Sequence, residues 1–383
     1  MTVASALVSG NDPLPQLAEE AVSQALKKAG LTHANGVLLF LTPDFARHAQ
    51  QSVTAAARSA QCTQIAGGIA AGVFTEDGWI LDRPAVAAMV FGRGLSLGHP
   101  DSSGKLDEPV LSYTGSTFPP DWRHDCDRFG GSFTGNVGYA DPVAWQQSRL
   151  TDQQRCSVQL LDAHVSLGVS SGLHLLGDPQ CVERSTGYDL EMLGGLSAQA
   201  CLQSVLPPEY WNSREQSALP LQHLTAVLID NESSQSAEAA RTALANGRYH
   251  PVAIIATNAD HSLTLAERTY PGQQLAWAIR QPLSTEADMR HMLTRLSATA
   301  TDPACALMFS CIGRGPYFYG GEDRDLTLLR EQFPNLPLLG TYGTSQIAPI
   351  AAGKASANRQ LQNAVVTALV SKRPRKAHVQ SIT

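Results

Sequence analysis

The same succession of elements is written at both ends of this chain, and a repeat of that kind restricts the fold more than any single motif. Near the N-terminus an apolar stretch, Gly36–Leu41, runs into Thr42-Pro43 and a helical stretch over residues 45–60. Thr63-Gln64-Ile65-Ala66 and a glycine-rich turn, Gly67-Gly68-Ile69-Ala70-Ala71-Gly72, follow. Near the C-terminus residues 305–310 form a second apolar stretch, with a helical one over 325–333. Leu336-Pro337-Leu338-Leu339 and a second turn, Gly340-Thr341-Tyr342-Gly343, follow in the same order. Outside these cores, a strand at 3–8 precedes a helix at 16–28, while Gln274–Ile279 precedes one at 285–296. Apolar strands at Ala85–Phe91 and 364–370 close the two copies. The offset stays at roughly 270 to 280 residues throughout, as an internal duplication would leave it.

Alternation of strand and helix in each copy predicts mostly parallel sheets covered by helices. The expected fold class is therefore α/β: two pseudo-repeated βαβ-type units, a β-rich middle section over about 100–270, and α+β character in the C-terminal half. The first helix shows its limits in its chemistry. Leu17, Ala18, Ala21, Val22, Ala25 and Leu26 share one face, Pro15 suits the first turn, and Gly30 can close the last. The middle section holds a third glycine motif, Arg128-Phe129-Gly130-Gly131-Ser132, read as another strand-end turn, and an apparent hairpin around Asp162. Residues 252–256 and 262–268 pair as strands through Asn258-Ala259-Asp260.

A chain of 383 residues accommodates two domains, and the polar run 212–217 between Pro208 and Pro220 is the linker. The boundary is placed at 216/217, giving domains 1–216 and 217–383, with 372–383 a basic, disordered tail. The net charge of −6 offers no general attraction to nucleic acid or to an anionic membrane. No apolar run is long enough to span a bilayer, and no signal sequence opens the chain, so a cytoplasmic location is expected. The seven cysteines, with no Cys-x-x-Cys among them, read as reduced thiols; no metal site is expected.

In open α/β sheets ligands bind beyond the carboxyl ends of strands, where glycines let the backbone approach. Two such turns predict one pocket lined by Gly67, Gly68, Gly72, Tyr342 and Gly343. Arg83, ahead of a strand, could clamp a carboxylate. Cys311-Ile312-Gly313-Arg314-Gly315-Pro316-Tyr317-Phe318-Tyr319-Gly320-Gly321 is the richest stretch, with Arg314 set between glycines and three aromatic rings after it. Catalysis is not signalled: there is no nucleophile elbow, no His-Glu-x-x-His and no metal-ligand spacing among the histidines. A cysteine-dependent enzyme using Cys311 is the remaining catalytic reading, and it ranks last.

At these motifs the chain resembles the FIST family of sensory proteins, with both N-terminal and C-terminal FIST domains, over nearly its whole length. The most specific pieces are Gly72-Val73-Phe74-Thr75-Glu76-Asp77-Gly78-Trp79-Ile80-Leu81-Asp82-Arg83-Pro84 and Phe309-Ser310 followed by the Cys311 to Gly321 stretch. Residues 168–177 and 338–349 match more loosely. The resemblance implies a cytoplasmic, non-catalytic sensor of a small ligand, an amino acid or related metabolite, that passes its signal to a separate signalling protein. Departures fall within the turns. Gly67-Gly68 stands where members often have Gly-Cys, Val73 replaces a glutamate, and Ser345-Gln346-Ile347 replaces Gly-Glu-Ile. Ser345 and Gln346 thereby join the candidate ligand-binding residues. No cofactor is expected. Because some members are described as haem-binding, a haem-based gas sensor is the alternative, with His174 or Cys311 as the axial ligand.

Overall fold

A computed structural model of the chain describes residues 3–100, 108–135, 141–207, 219–229, 236–245, 249–352 and 355–373. The expected linker and domain boundary, and most of the basic tail, lie outside the described residues. The chain divides into two compact units: one made of 1–170, 289–349 and 358–383, the other of 171–288 with 350–357.

In the larger unit one plan of strands occurs three times. Each of its three sheets has a parallel pair at the centre: Gly36–Leu41 with Ile65–Ile69, Val110–Thr114 with Arg128–Ser132, and Pro303–Cys311 with Leu338–Gly343. The first strand of each pair is flanked by an antiparallel strand, respectively Ala85–Phe91, Arg155–Leu161 and Val365–Lys372. An outer strand lies beyond each of these, Val3–Ser9, Ser96–Gly98 and Ala163–Ser170. The mixed helices and sheets make this an α/β fold, as the alternating pattern implies.

On the far side of each parallel pair the sheet is completed by a borrowed strand. Gly72–Thr75 leaves the first pair and joins Leu338–Gly343. The strand Ala144–Gln146, which follows the second pair, joins Ile65–Ile69, and Ser345–Ala352, which follows the third, joins Arg128–Ser132. The loan is cyclic, so none of these three sheets is built from one continuous stretch of chain.

Three readings of the sequence need correcting. Gln274–Ile279 does not open the C-terminal copy. It pairs with His174–Thr186 and Leu224–Ile229 in the other unit, and its uniformly buried pattern suits a central strand there as well as it would suit a parallel sheet. The topological counterpart of Val3–Ser9 is Ala163–Ser170. The strands around Asp162, which has a left-handed φ of 55°, form no hairpin: Arg155–Leu161 and Ala163–Ser170 belong to different sheets. The glycine turns are not turns either: Gly67 and Gly68, Gly130 and Gly131, and Gly340 all sit inside strands.

Local chemistry accounts for the helices. Pro15–Ala29 has proline in its first turn, Lys27 and Lys28 in its last, and Gly30 in a left-handed cap at φ 66°, and it buries Ala18, Ala21, Val22 and Ala25. The stretch read as one helix over 45–60 splits into a 3-10 turn, Pro43–His48, and a helix, Ala49–Ala60. Arg324–Gln332 is capped by Asp323, whose side chain accepts from the Leu326 N–H.

The smaller unit is a sheet closed on itself. His174–Thr186 pairs along one half with Gln274–Ile279 and along the other with Asp189–Leu193, and the circuit returns through Leu224–Ile229, Tyr249–Thr257 and Leu263–Leu265. Its interior is filled by Leu190, Leu193, Leu228, Leu263, Leu275 and Trp277, together with Cys201 and Leu202 of the helix Ala198–Val205. The expected pairing around 258–260 is present, Thr257 opposite Leu263.

Two close backbone approaches set the strand spacing in the larger unit. A Cβ on Gly67 (φ 151°) would lie 1.8 Å from the Leu39 carbonyl oxygen, and one on Gly130 (φ 148°) would lie 1.9 Å from that of Ser112. Backbone cannot move aside as a side chain can. Gly67→Ala should therefore cost about 3 kcal/mol or more in urea unfolding. Gly78→Ala, at a similar φ of 147° but with open space around it, should cost only about 1 kcal/mol. Equal losses would show that backbone conformation alone, and not the contact, demands glycine.

Candidate functional site

The carboxyl ends of the three parallel pairs are stitched together by backbone bonds. The Ile69 N–H donates to Val143 O (2.9 Å), the Ala71 N–H to Tyr342 O (2.9 Å) and the Thr344 N–H to Ser132 O (2.8 Å). Around this ring lie Gly67, Gly68, Gly72, Cys311, Tyr342, Gly343, Ser345 and Gln346, which the sequence scatters over nearly 280 residues. Gly72 is directly opposite Tyr342, Cys311 opposite Gly343, and Gln346 opposite Gly131.

The space beside the glycines is taken by the protein itself. A Cβ on Gly68 would meet the Tyr113 ring at 2.6 Å, one on Gly72 the Ile80 carbonyl at 2.7 Å, and one on Gly343 the Ser132 carbonyl at 2.3 Å. Tyr113 is fully buried and donates its hydroxyl to Ile69 O at 2.9 Å. Its ring meets Phe40 (centroids 5.1 Å apart), and Phe40 meets Phe309 (6.2 Å). These three rings hold corresponding positions in the three sheets, opposite Gly68, Gly131 and Thr341.

Gln346 breaks this apolar pattern. Directly paired residues project to one face of a sheet, so Gln346 shares the face of Gly131 and Tyr113. The corresponding positions opposite Gly68 and Thr341 carry Ala144 and Val73. Gln346 is fully buried, and among the described residues neither its Oε1 nor its Nε2 has a hydrogen-bond partner. An amide left so in an apolar setting costs several kcal/mol. Such a group in a folded protein calls for a specific explanation.

Arg314 is engaged elsewhere. Its side chain is fully buried and forks onto Asp325 (Nε to Oδ2 2.8 Å, Nη2 to Oδ1 3.0 Å), while Nη1 and Nη2 donate to the carbonyl and hydroxyl of Ser170 at 2.9 and 2.7 Å. Tyr319 donates to Asp325, and Tyr342 to Asp323. Burial, with the neighbouring Asp325, raises the Asp323 carboxyl to about 6, and burial and Asp323 hold the Tyr342 hydroxyl well above the usual phenol range. The guanidinium thus joins three stretches of chain from the inside.

Arg83 is exposed at the start of its strand, and its neighbour Asp82 accepts from Tyr317. Cys311 is buried, its thiol near the Thr344 carbonyl (3.7 Å). His174 lies exposed on a strand of the smaller unit. Ser345 shares a hydroxyl bond with Ser132 at 2.7 Å, which Gln360 extends. Among the described residues no group of His, Cys, Asp or Glu is arranged to hold a metal ion, and no helix is long and apolar enough to cross a membrane. A hollow of about 230 Å³ between the helices Pro282–Thr299 and Arg324–Gln332 contains none of the expected site residues. Sequence reasoning missed Ser170, Asp323 and Asp325. The signal for the two acids was local, since Asp323 and Asp325 open a helix only 9 and 11 residues after Arg314.

Residues 198–349 match the model of the FIST C domain. Two uncharacterised proteins of Mycobacterium tuberculosis, from strains CDC 1551 and H37Rv, are each 22% identical over 224 residues, 58% of this chain and 56% of theirs. An uncharacterised protein of Mycobacterium bovis is 30% identical over 91 residues, 24% of each chain. The chain spans about half the length of the first two relatives.

Removing the guanidinium strands a buried carboxylate, so Arg314→Ala should lower stability by roughly 3 to 5 kcal/mol in denaturant unfolding. An effect below about 1 kcal/mol would mean that the pair is not buried. Asp323 holds its proton more tightly in the folded protein than an ordinary aspartate, whose pKa is 3.8. Its contribution is therefore full below about pH 4 and is lost as pH rises through about 6, a change of roughly 3 kcal/mol. The stability difference between the wild type and Asp323→Asn should track that window, and a flat difference from pH 4 to 7 would remove the assignment.

Proposed function

We propose, from the match of residues 198–349 to the FIST C domain of a sensory, signal-transduction domain family, that the chain is a non-catalytic sensor that binds a small ligand inside its three-sheet unit and passes the signal to a separate protein. The observation that carries this reading is Gln346, a fully buried amide with both polar atoms unpartnered, set where the carboxyl ends of three parallel strand pairs meet. Ligand sites of α/β proteins form at such ends. On this reading residues 1–216 are the FIST N-terminal-type part. Gln346 is the residue that meets the ligand, while the ring glycines, packed against Tyr113, Ile80 and Ser132, shape the strands around it, Arg314 braces the site from behind and Arg83 stands outside it.

The buried state of Cys311 favours a packing role over a nucleophilic one. Its nearest polar neighbours are oxygens, the Thr344 carbonyl and Asn363 Oδ1, and neither is a cation or a base that would activate a thiol.

A thermal-shift screen of amino acids and other small metabolites tests the reading. A true ligand at about 100 times its Kd should stabilise the protein by about 2.7 kcal/mol. Gln346→Leu should abolish that shift and yet raise the stability of the unliganded protein by about 1 to 3 kcal/mol, because the unmet amide is gone. A ligand whose shift survives Gln346→Leu binds elsewhere, and the placement of the site fails.

A further inference from the structure

We propose that Asp323 is a proton-operated latch: while its carboxyl holds a proton it ties the first turn of the helix Arg324–Gln332 to Tyr342 in the strand Leu338–Gly343, and on losing that proton it lets the turn part from the strand. The geometry is that of two buried acids set two residues apart at one helix start. The Arg314 guanidinium meets both oxygens of Asp325, at 2.8 and 3.0 Å, and the Tyr319 hydroxyl donates to the same carboxylate. Asp323 instead faces two neutral donors, the Leu326 N–H at 2.9 Å and the Tyr342 hydroxyl. Its chain neighbours Glu322 and Arg324 are exposed and half-buried. The guanidinium thus neutralises Asp325 in direct contact and acts on Asp323 more weakly, through space.

The direction of the latch depends on which effect wins at Asp323. A carboxylate at a helix start is favoured by the helix dipole, and this one also accepts two hydrogen bonds. Burial and the repulsion of Asp325 outweigh both and raise the carboxyl to about 6. The acid form therefore favours the closed arrangement. Above about pH 6 the charge is better accommodated in water, where an aspartate titrates at 3.8. Swinging the first helical turn outward takes Asp323 there, with loss of the Tyr342 bond and of the Leu326 cap. The strand end it leaves belongs to the ring: the Tyr342 carbonyl accepts the Ala71 N–H, and its side chain packs on Phe74 with ring centroids 4.8 Å apart. The latch closes on the residue that joins the third sheet to the chain leaving the first.

Hydrogen exchange of the full chain, divided by the intrinsic rate of an unstructured amide, reads the latch locally. The Leu326 and Thr327 amides, which bond to the Asp323 carboxyl and carbonyl, should open about tenfold more often at pH 7.5 than at pH 5. At pH 7.5 they should also open at least about tenfold more often than the amides of Gly36–Leu41, which mark global unfolding. Asp323→Asn keeps the cap and removes the charge, so its opening should not change with pH. Tyr342→Phe removes a donor to the carboxylate, so the rise in opening should move to higher pH, which a purely structural contact would not produce. Carbon-13 NMR of the wild-type carboxyls gives an independent check, and Asp323 titrating near its ordinary value would overturn the proposal. So would opening in wild type that does not change with pH, or the same rise retained in Asp323→Asn. Equal opening at Leu326 and in Gly36–Leu41 would make the proton an agent of global stability alone, and the latch would fall.

Discussion

Backbone meeting backbone where a Cβ would otherwise stand is the contact on which the larger unit depends. Gly67 against Leu39 and Gly130 against Ser112 bring the two strands of a parallel pair together with no room for any other residue. Large side chains can then lie across the glycines. Trp145 is opposite Gly67, Phe74 opposite Gly340, and Ile347 opposite Gly130, and each belongs to a strand lent by a neighbouring sheet. The glycines, the covering residues and the exchange of strands are one device seen at three scales. Close strands need no side chain, the uncovered surface needs a lid, and the lid arrives on the borrowed strand.

Polar groups in this unit are sorted by face. The outer faces carry ion pairs whose members are fully engaged: Arg314 with Asp325 and Ser170, Arg128 with Asp125, Ser112 and Ser157. The inner face carries Phe40, Tyr113, Phe129 and Phe309, with the one hydroxyl among them satisfied by a carbonyl. Against that sorting Gln346 is an exception that burial alone does not explain. Exceptions of this kind tend to mark function, because stability by itself favours an apolar residue there.

The sequence made the parallel pairs legible because they are short, apolar and repeated, and because Pro15, Gly30 and the lysines between them define the first helix without help from tertiary contacts. It did not reveal which strands belong to which sheet. Gln274–Ile279 and Ala163–Ser170 are both apolar enough to sit beside Val365–Lys372, and only register with a strand nearly 200 residues distant from Ala163–Ser170 chose between them. The third occurrence of the plan was hidden for a different reason. Its Gly130-Gly131 copies Gly67-Gly68, but the stretch around it is crowded with proline and glycine and reads as loop. Arg314 misled because a cation among glycines and aromatic rings is what an exposed recognition loop and a buried brace both look like in one dimension. The partner that separates them, Ser170, is 144 positions away.

The cyclic loan of strands bears on how such a chain can come to be folded at all. Val73 finds Thr341 and Phe74 finds Gly340, so a strand made early in synthesis waits for one made near the end. Contacts of such sequence separation make for slow folding and leave unpaired edges exposed meanwhile. The segment matched by the FIST C domain, 198–349, contains all of Leu338–Gly343 but neither Gly72–Thr75 nor Val365–Lys372. Cut out along those limits, it would carry a parallel pair open on both sides. In this chain the limits of the matched segment are thus not those of a folding unit, and a fragment intended for study has to follow the sheets.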